Sequence, residues 1–225
     1  MMSSQLPRPP RPRLTDRPLP RRPLTPALGE WREGWRIYRC HLTERKPRAF
    51  NPTDSSQRFR PIHDARGRVV PTLYGADTLQ GALAETILRD VPPDGDERHV
   101  LADRLTPYNY TTLHATRPLC LAILHDPEIK RLRVNPAELG GCPPAADYPW
   151  TATWAQAIHD DAPDADGLIW VPRHHNTARA LMFFGDRTSE RDLTINADPR
   201  PLATGIGRRE VARLLELADI ALIEG

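Results

Sequence analysis

Residues 69–90 read VVPTLYGADTLQGALAETILRD, and this stretch joins a short strand to a helix. The bulky residues of Val69–Tyr74 predict the strand. Asp77 or Thr78 offers a side chain that caps a helix, and the proline at position 92 stops it, so we predict a helix over 78–90. A short strand that runs into a capped helix is typical of mixed α/β or α+β domains.

Glu85 occupies an unusual face of this predicted helix. At the helical angle per residue, the apolar stripe consists of Leu79, Leu83 and Ile87, and Glu85 lies on the opposite side. The other residues on its side are small or apolar: Thr78, Gly81, Ala82 and Leu88. A carboxylate among such neighbours is expected to be partly buried and to need a partner. It is either a functional group or half of a structural ion pair with an upstream arginine, for which the candidates are Arg36, Arg39, Arg58 and Arg60.

The elements on either side of this stretch are short and irregularly ordered. Alternating bulky and polar residues predict a strand at Trp35–Cys40, and residues 44–68 are rich in Pro and Arg without periodicity. Downstream we predict strands at Pro118–Leu124, Gly167–Val171, Ala180–Phe184 and Ile220–Ile223. We also predict two helices, one that begins at Tyr148 and one that spans Arg208–Ala218. This pattern favours a compact α+β or mixed α/β domain over a doubly wound sheet.

Residues 1–30 differ in composition from the rest of the chain. They hold eight of the 25 prolines and six arginines against two acids, within a chain of net charge +2. Because they offer no periodic apolar face, we expect a disordered or loosely docked basic arm at 1–30 and a single domain at 31–225. Such an arm could touch nucleic acid electrostatically, but a solvated tail is the interpretation we favour.

Composition and missing motifs exclude several classes of protein. No apolar run approaches the roughly 18 residues of a membrane helix, so we expect neither a membrane span nor a secretory signal. Widely spaced Cys40, Cys120 and Cys142 indicate free thiols and a reducing, cytoplasmic compartment. The glycine loops that bind phosphates, the zinc-protease helix and the serine-hydrolase elbow are all absent. His174 and His175 are adjacent and lack partners at ligand spacing, so we predict no metal site.

Taken together, several segments resemble the RES domain, the toxin component of bacterial RES–Xre toxin–antitoxin pairs. The matching segments are WRIYRC at 35–40, QRFRP at 57–61, LYGADTLQGALAET at 73–86, the helix opened by Tyr148-Pro149, and GLIWVPR to LMFFGDR at 167–187. The resemblance runs from about residue 31 to near the end of the chain. It implies an ADP-ribosyltransferase-like α+β fold, with two small, mostly antiparallel sheets flanked by helices and an NAD cleft between them.

The resemblance also implies an activity and a set of site residues. Known members of the family cleave the nicotinamide–ribose bond of NAD, by phosphorolysis or by hydrolysis, and act as type II toxins. Carried over by position, Glu85, Arg39 and Tyr74 would be catalytic, and Arg39, Arg58 and Tyr74 would bind NAD. Arg173 and His174 are further candidates for binding NAD or an acceptor phosphate. NAD is then a substrate, inorganic phosphate is the candidate co-substrate, and no cofactor is implied.

Two departures from the family pattern keep alternatives open. Cys40 stands where the family often has Tyr, and Pro172 stands where it has Ser. Because a proline supplies neither a hydroxyl nor an amide hydrogen, a catalytically weakened or inactive binding module is one alternative. An ADP-ribosyltransferase that acts on a macromolecule is another. The implied partners are NAD and an Xre-like helix-turn-helix antitoxin, and a homodimer stays open.

Overall fold

A mostly antiparallel sheet forms the centre of the protein. The computed structural model describes residues 17–53, 55, 57–92, 98–141 and 145–224. In these ranges the strands are β1 (Leu28–Trp31), β2 (Arg36–Leu42), β3 (Thr72–Ala76), β4 (His99–Leu101), β5 (Tyr108–Ala115), β6 (Leu119–Leu124), β7 (Gly167–Trp170), β8 (Ala180–Phe184), β9 (Leu193–Ile195), β10 (Arg200–Pro201) and β11 (Ala221–Ile223). The large sheet has the order β1-β6-β7-β8-β3-β2-β5-β10, with β9 also on β5, and β4 pairs with β11 in a small sheet.

Within the part of the chain that the structure describes, three α-helices flank the sheets, which confirms the expected α+β class. They are α1 (Leu79–Thr86), α2 (Tyr148–Asp161) and α3 (Gly205–Leu217). Single turns of 3-10 or π helix occupy Ala102–Leu105, Glu128–Leu132, Ala137–Gly141, Ala145–Asp147 and Glu190–Asp192. The two sheets are unequal, with nine strands and two strands in the described ranges. No helix in these ranges is both long enough and apolar enough to cross a bilayer.

Apolar side chains are buried on both faces of the large sheet. On one face, α2 packs Trp150, Trp154 and Ile158 against β7 and β8. On the other face, side chains of β2, β3 and β8 form a second cluster around Leu73 and Phe183. A third cluster joins α1 to α3 and the small sheet. Because β2, β3 and α1 are each anchored in a buried cluster, polar side chains carried by these elements have fixed positions.

The described part of the N-terminal segment, residues 17–31, packs on the domain, whereas the sequence analysis expected a disordered or loosely docked arm up to residue 30. Arg17 forms an ion pair with Asp147 at 2.7 Å, and both side chains are less than a tenth exposed. The carbonyl of Pro18 accepts hydrogen bonds from the indole nitrogens of Trp150 and Trp154. Strand β1 pairs with β6, so the chain is already part of the sheet by Leu28. Acidic residues on and beside α2 therefore neutralise arginines of this segment, which its composition alone suggested were exposed to solvent. Residues 1–16 lie outside the described ranges.

Helix α1 and strand β5 are among the elements that differ from the sequence-based expectation. Helix α1 ends at Thr86 rather than Asp90, because Ile87, Leu88 and Val91 leave the helix and enter the cluster shared with α3. Strand β5 was not predicted, yet it pairs with seven consecutive residues of β2. This pairing holds β2 in the interior of the sheet.

Candidate functional site

A cleft of about 290 Å³ opens where β2, β3 and α1 meet. Four arginines line it, namely Arg39, Arg45, Arg58 and Arg89, and Glu85 is the one carboxylate among its described lining residues. Its aromatic walls are Tyr74, Tyr108, Tyr148 and Trp170. A positively charged cleft with aromatic walls suits an anionic ligand that contains planar rings.

Strand β2 carries Arg39 into this cleft. The alternation of the strand buries Ile37, Arg39 and His41 on one face, and Arg39 is only 5% exposed. Its Nη2 donates to the carbonyl oxygen of Ala49 at 2.8 Å, whereas its Nη1 is buried and has no hydrogen-bond partner in the described part of the chain. Burial, together with the charge of Arg45, lowers the pKa of Arg39 to about 10, so the guanidinium is still charged at neutral pH. A buried cation with an unused donor attracts an anion.

A strained turn directs Arg58 towards the cleft. Phe59 has a φ of 66°, a conformation that bulky residues rarely adopt. Its amide donates to the Thr151 hydroxyl at 3.0 Å, and its ring packs against Trp170 with centroids 5.0 Å apart. These contacts hold the turn, and Arg58 Nη2 donates to the carbonyl of Gly140 at 2.9 Å. Arg58 is thus a fixed, buried cation rather than a free one.

Tyr74, on β3, supports the same turn. Its hydroxyl donates to the carbonyl oxygen of Arg58 at 2.6 Å, and its ring meets Trp170 edge-on at 6.2 Å. Burial raises the pKa of Tyr74 well above its ordinary value, so the hydroxyl stays protonated at neutral pH. Tyr74 therefore gives the cleft an aromatic wall and fixes the backbone of Arg58.

Helix α1 places Glu85 opposite Arg58. The helix begins where the Thr78 hydroxyl accepts from the amide of Gly81 at 3.1 Å. Gly81 lies so close to the loop after β7 that a Cβ on it would be 2.7 Å from the Cβ of Ala178. Glu85 Oε1 is 3.9 Å from Arg58 Nη1 and accepts from the backbone amide of Arg173 at 3.2 Å. The carboxylate is a quarter exposed, so it is held in place and still reaches the cleft.

Arg173 and His174 border a second, smaller pocket of about 20 Å³ beside Glu85. This pocket shares Arg58, Glu85, Arg89 and Tyr148 with the large cleft, so the two adjoin at Glu85. Burial, followed by the charge of Arg173, lowers the pKa of His174 to about 4. His174 is therefore neutral at physiological pH in the free protein. Pro172, just before these residues, is buried.

The structure brings Arg39, Arg58, Tyr74 and Glu85 together in one cleft. Sequence reasoning did not assign Tyr148 or Trp170 to the site. Both lie in segments that the sequence did mark: Tyr148 opens the predicted helix next to a proline, and Trp170 lies in the predicted strand Gly167–Val171. In the described ranges, no group of His, Cys, Asp and Glu side chains could hold a metal ion.

Comparison with known families identifies one match. The family model of the RES domain matches residues 33–203, about three quarters of the chain. The matched region runs from just before β2 to just after β10 and contains every lining residue of the cleft. Among curated proteins, no sequence matches the chain.

Proposed function

The chain belongs to the RES domain family, and from that premise we propose that it is an NAD-degrading enzyme and the toxin of a type II toxin–antitoxin pair. In this proposal it breaks the nicotinamide–ribose bond, and an Xre-like helix-turn-helix protein is its antitoxin. One observation carries the proposal: the buried Arg39, with an unused donor, and the carboxylate of Glu85 line the same cleft. Such a cleft has a cation for the diphosphate of NAD and an anion for its ribose.

Arginine accounts for the binding of the dinucleotide. A guanidinium is a planar fork that fits phosphate oxygens, so a diphosphate can be held without a glycine-rich loop. In the complex with NAD, the unused Nη1 of Arg39 is the donor for the diphosphate, and the charge of Arg45 adds to the attraction. Arg58 has its Nη2 bonded to a carbonyl, so its part is to hold Glu85 and to contribute charge. Tyr74 and Tyr148, which are only partly buried, provide aromatic surfaces for the nicotinamide ring.

Glu85 accounts for the chemistry. Cleavage of the bond to nicotinamide builds positive charge on the ribose, as glycoside cleavage does. The leaving group is already a cationic pyridinium and departs neutral, so no general acid is required. A fixed carboxylate beside the developing oxocarbenium ion stabilises it, and Glu85 is held by Arg173 and Arg58. A fixed position matters because a carboxylate that has to reorient contributes less to the transition state.

One observation favours a second candidate function, that of an inactive binding module. Glu85 and Arg58 are 3.9 Å apart, and Arg58 is buried, as in a purely structural ion pair. In that case the cleft binds a ligand without converting it. A transferase that passes ADP-ribose to a macromolecule would use the same cleft and differ in the acceptor.

Incubation of the purified protein with NAD tests the proposal. We expect loss of NAD and release of nicotinamide, followed by chromatography, with ADP-ribose or its 1-phosphate ester as the second product. Modification of a macromolecule in place of a free product would support the transferase. Intact NAD after prolonged incubation with a folded protein that still binds it would establish the binding module and contradict the proposed activity.

A further inference from the structure

We propose that residues 17–24, which we call the strap, support the NAD site by holding the first turn of α2, so that Arg17 is a positioning residue for Tyr148. The inference rests on the proposed function, because it assigns a further residue to the same site. The strap precedes the segment 33–203 that the family model matches. This support therefore comes from a part of the chain outside the matched domain.

The strap contacts α2 at residues on either side of Tyr148. Arg17 Nη2 donates to Asp147 Oδ2 at 2.7 Å, and the Arg17 guanidinium lies 4.9 Å from the centre of the Trp150 ring. The indole nitrogen of Trp150 in turn donates to the carbonyl oxygen of Pro18 at 2.8 Å. Arg17 and Asp147 are each less than a tenth exposed, so solvent screens their ion pair little. The backbone of Tyr148, between Asp147 and Trp150, is therefore fixed by contacts with the strap.

The same turn of α2 also contacts the cleft. Tyr148 lines the cleft and is only partly buried. Its carbonyl oxygen accepts from the Thr151 hydroxyl at 3.0 Å, and the oxygen of that hydroxyl accepts from the Phe59 amide at 3.0 Å. Phe59 belongs to the strained turn that carries Arg58. The first turn of α2 therefore connects the strap to two parts of the NAD site, the Tyr148 ring and the Arg58 turn.

The start of α2 depends on Arg17 because its capping residue is committed elsewhere. An aspartate at the N-cap usually accepts a hydrogen bond from an amide of the first turn. Asp147 is the N-cap residue of α2, but its side chain makes no such bond and pairs with Arg17 instead. A buried carboxylate that loses its partner turns towards those amides or towards solvent. Either movement displaces Tyr148, the next residue along the chain.

The strap has a second anchor at the other end of α2, away from the cleft. Arg22 Nη2 pairs with Asp161, the last residue of the helix, at 2.6 Å, and the amide of Leu24 donates to the same carboxylate at 2.8 Å. Arg22 is half exposed, and none of these three residues lines the cleft. Substitution of Arg22 therefore weakens the docking of the strap alone, whereas substitution of Arg17 also disturbs the turn beside the site.

Full-length Arg17→Met and Arg22→Met proteins compare the two anchors. Melting temperatures establish that each variant is folded, and kcat and KM for NAD are measured well below the lower melting temperature. The dissociation constant of NAD is obtained separately, from the shift in melting temperature with NAD concentration, which does not depend on turnover. Arg17→Lys, which keeps a positive charge next to Asp147, is the conservative variant.

We expect Arg17→Met to raise KM and the dissociation constant of NAD by about tenfold and to change kcat by less than about threefold. The aromatic wall contacts the ground state and the transition state alike, so its displacement weakens binding rather than chemistry. Glu85 keeps its position, because it is held by the amide of Arg173 on another part of the chain. Arg22→Met should lower the melting temperature and keep the wild-type kcat and KM, and Arg17→Lys should recover most of the NAD affinity.

A folded Arg17→Met protein whose NAD affinity equals that of Arg22→Met would overturn the inference, and so would a fall in kcat with KM unchanged. If Arg17→Met does not fold, Trp150→Phe takes its place, because it removes the hydrogen bond to Pro18 next to Tyr148. Trp154→Phe is its control, since it loses a bond of 3.3 Å to the same carbonyl one turn further along α2. Equal NAD affinities of these two variants would then overturn the inference.

The wild-type protein separates this inference from the proposed function. If it binds NAD without consuming it, the proposed activity is contradicted, and the dissociation constants of the same variants still decide the role of the strap. If it neither binds nor consumes NAD, the proposed function fails and the inference fails with it.

Discussion

Replacement of Arg39 by methionine separates a ligand-binding cation from a structural one. Arg39 is buried, keeps one donor unused and forms no ion pair in the described part of the chain. If the role of the Arg39 charge is to bind an anionic ligand, the buried charge has no counterion in the free protein and destabilises it. Methionine preserves much of the length and apolar surface of the side chain and removes the charge, so Arg39→Met isolates this effect.

The magnitude follows from the pKa of Arg39, which falls from 12.5 to about 10 in the folded protein. Each unit corresponds to about 1.4 kcal/mol, so the buried charge destabilises the fold by roughly 3 kcal/mol at neutral pH. Because the folded-state pKa is the lower one, the full effect is present below it and fades as the pH rises above it. The hydrogen bond from Arg39 to the carbonyl of Ala49 stabilises the fold by about 1.5–3 kcal/mol, which offsets most of this cost. We therefore expect Arg39→Met to leave the free energy of unfolding nearly unchanged or to raise it.

Urea unfolding and thermal melts with and without NAD measure both effects. A ligand at a hundred times its dissociation constant stabilises a protein by about 2.7 kcal/mol, which is roughly 5–10 °C for a chain of this size. We expect this shift in the wild type and its loss in Arg39→Met. Arg36→Met, an exposed substitution on the same strand, is the control and should keep the shift. The reasoning fails if Arg39→Met loses 3 kcal/mol or more of stability while the shift with NAD persists.

Three further predictions follow from the packing around the cleft. Gly81→Ala should destabilise the protein by about 1–3 kcal/mol and reduce NAD consumption, because its Cβ would collide with Ala178; an unchanged melt would contradict this close contact. A chain that begins at Trp31 should have a melting temperature about 10 °C below that of a chain that begins at Arg17, because the shorter chain lacks a buried ion pair and the contacts of Pro18. Equal melting temperatures would indicate that residues 17–30 are only loosely docked. Alkylation at pH 8 should leave NAD consumption intact, because burial raises the pKa of the Cys40 thiol to about 12; rapid inactivation that Cys40→Ser prevents would refute this.

The elements with clear local patterns could be predicted from the sequence. Strand β2 alternates buried and less buried residues, and α2 buries Trp150, Trp154 and Ile158 at helical spacing. Strand β5 was missed although its Tyr and Thr residues favour strands, and β1 was missed because it was counted with the proline-rich segment. Short strands such as β1 exist through pairing with a distant partner, and a local pattern does not report that pairing.

The unusual face of Glu85 was the most informative local signal for the site. The small residues next to Glu85 on α1 indicated that another part of the chain or a ligand approaches this face closely. In the structure, Gly81 lies against Ala178, and Glu85 lies opposite Arg58. The sequence offered four upstream arginines as partners and could not choose among them. The choice depends on a left-handed residue at position 59 and on a carbonyl at position 140, which are set by tertiary packing. The roles of these residues in catalysis stay predictions.

The most direct test of the proposed function is Glu85→Gln, measured by NAD kinetics and by melting on the same samples. Glutamine keeps the size of the side chain and removes the charge that faces the oxocarbenium ion. We predict a fall in kcat of roughly a hundredfold or more with NAD affinity nearly unchanged, because the lost interaction is made mainly in the transition state. A structural ion pair predicts instead a loss of several kcal/mol in stability. A Glu85→Gln protein that melts like the wild type and consumes NAD at the wild-type rate would contradict the account.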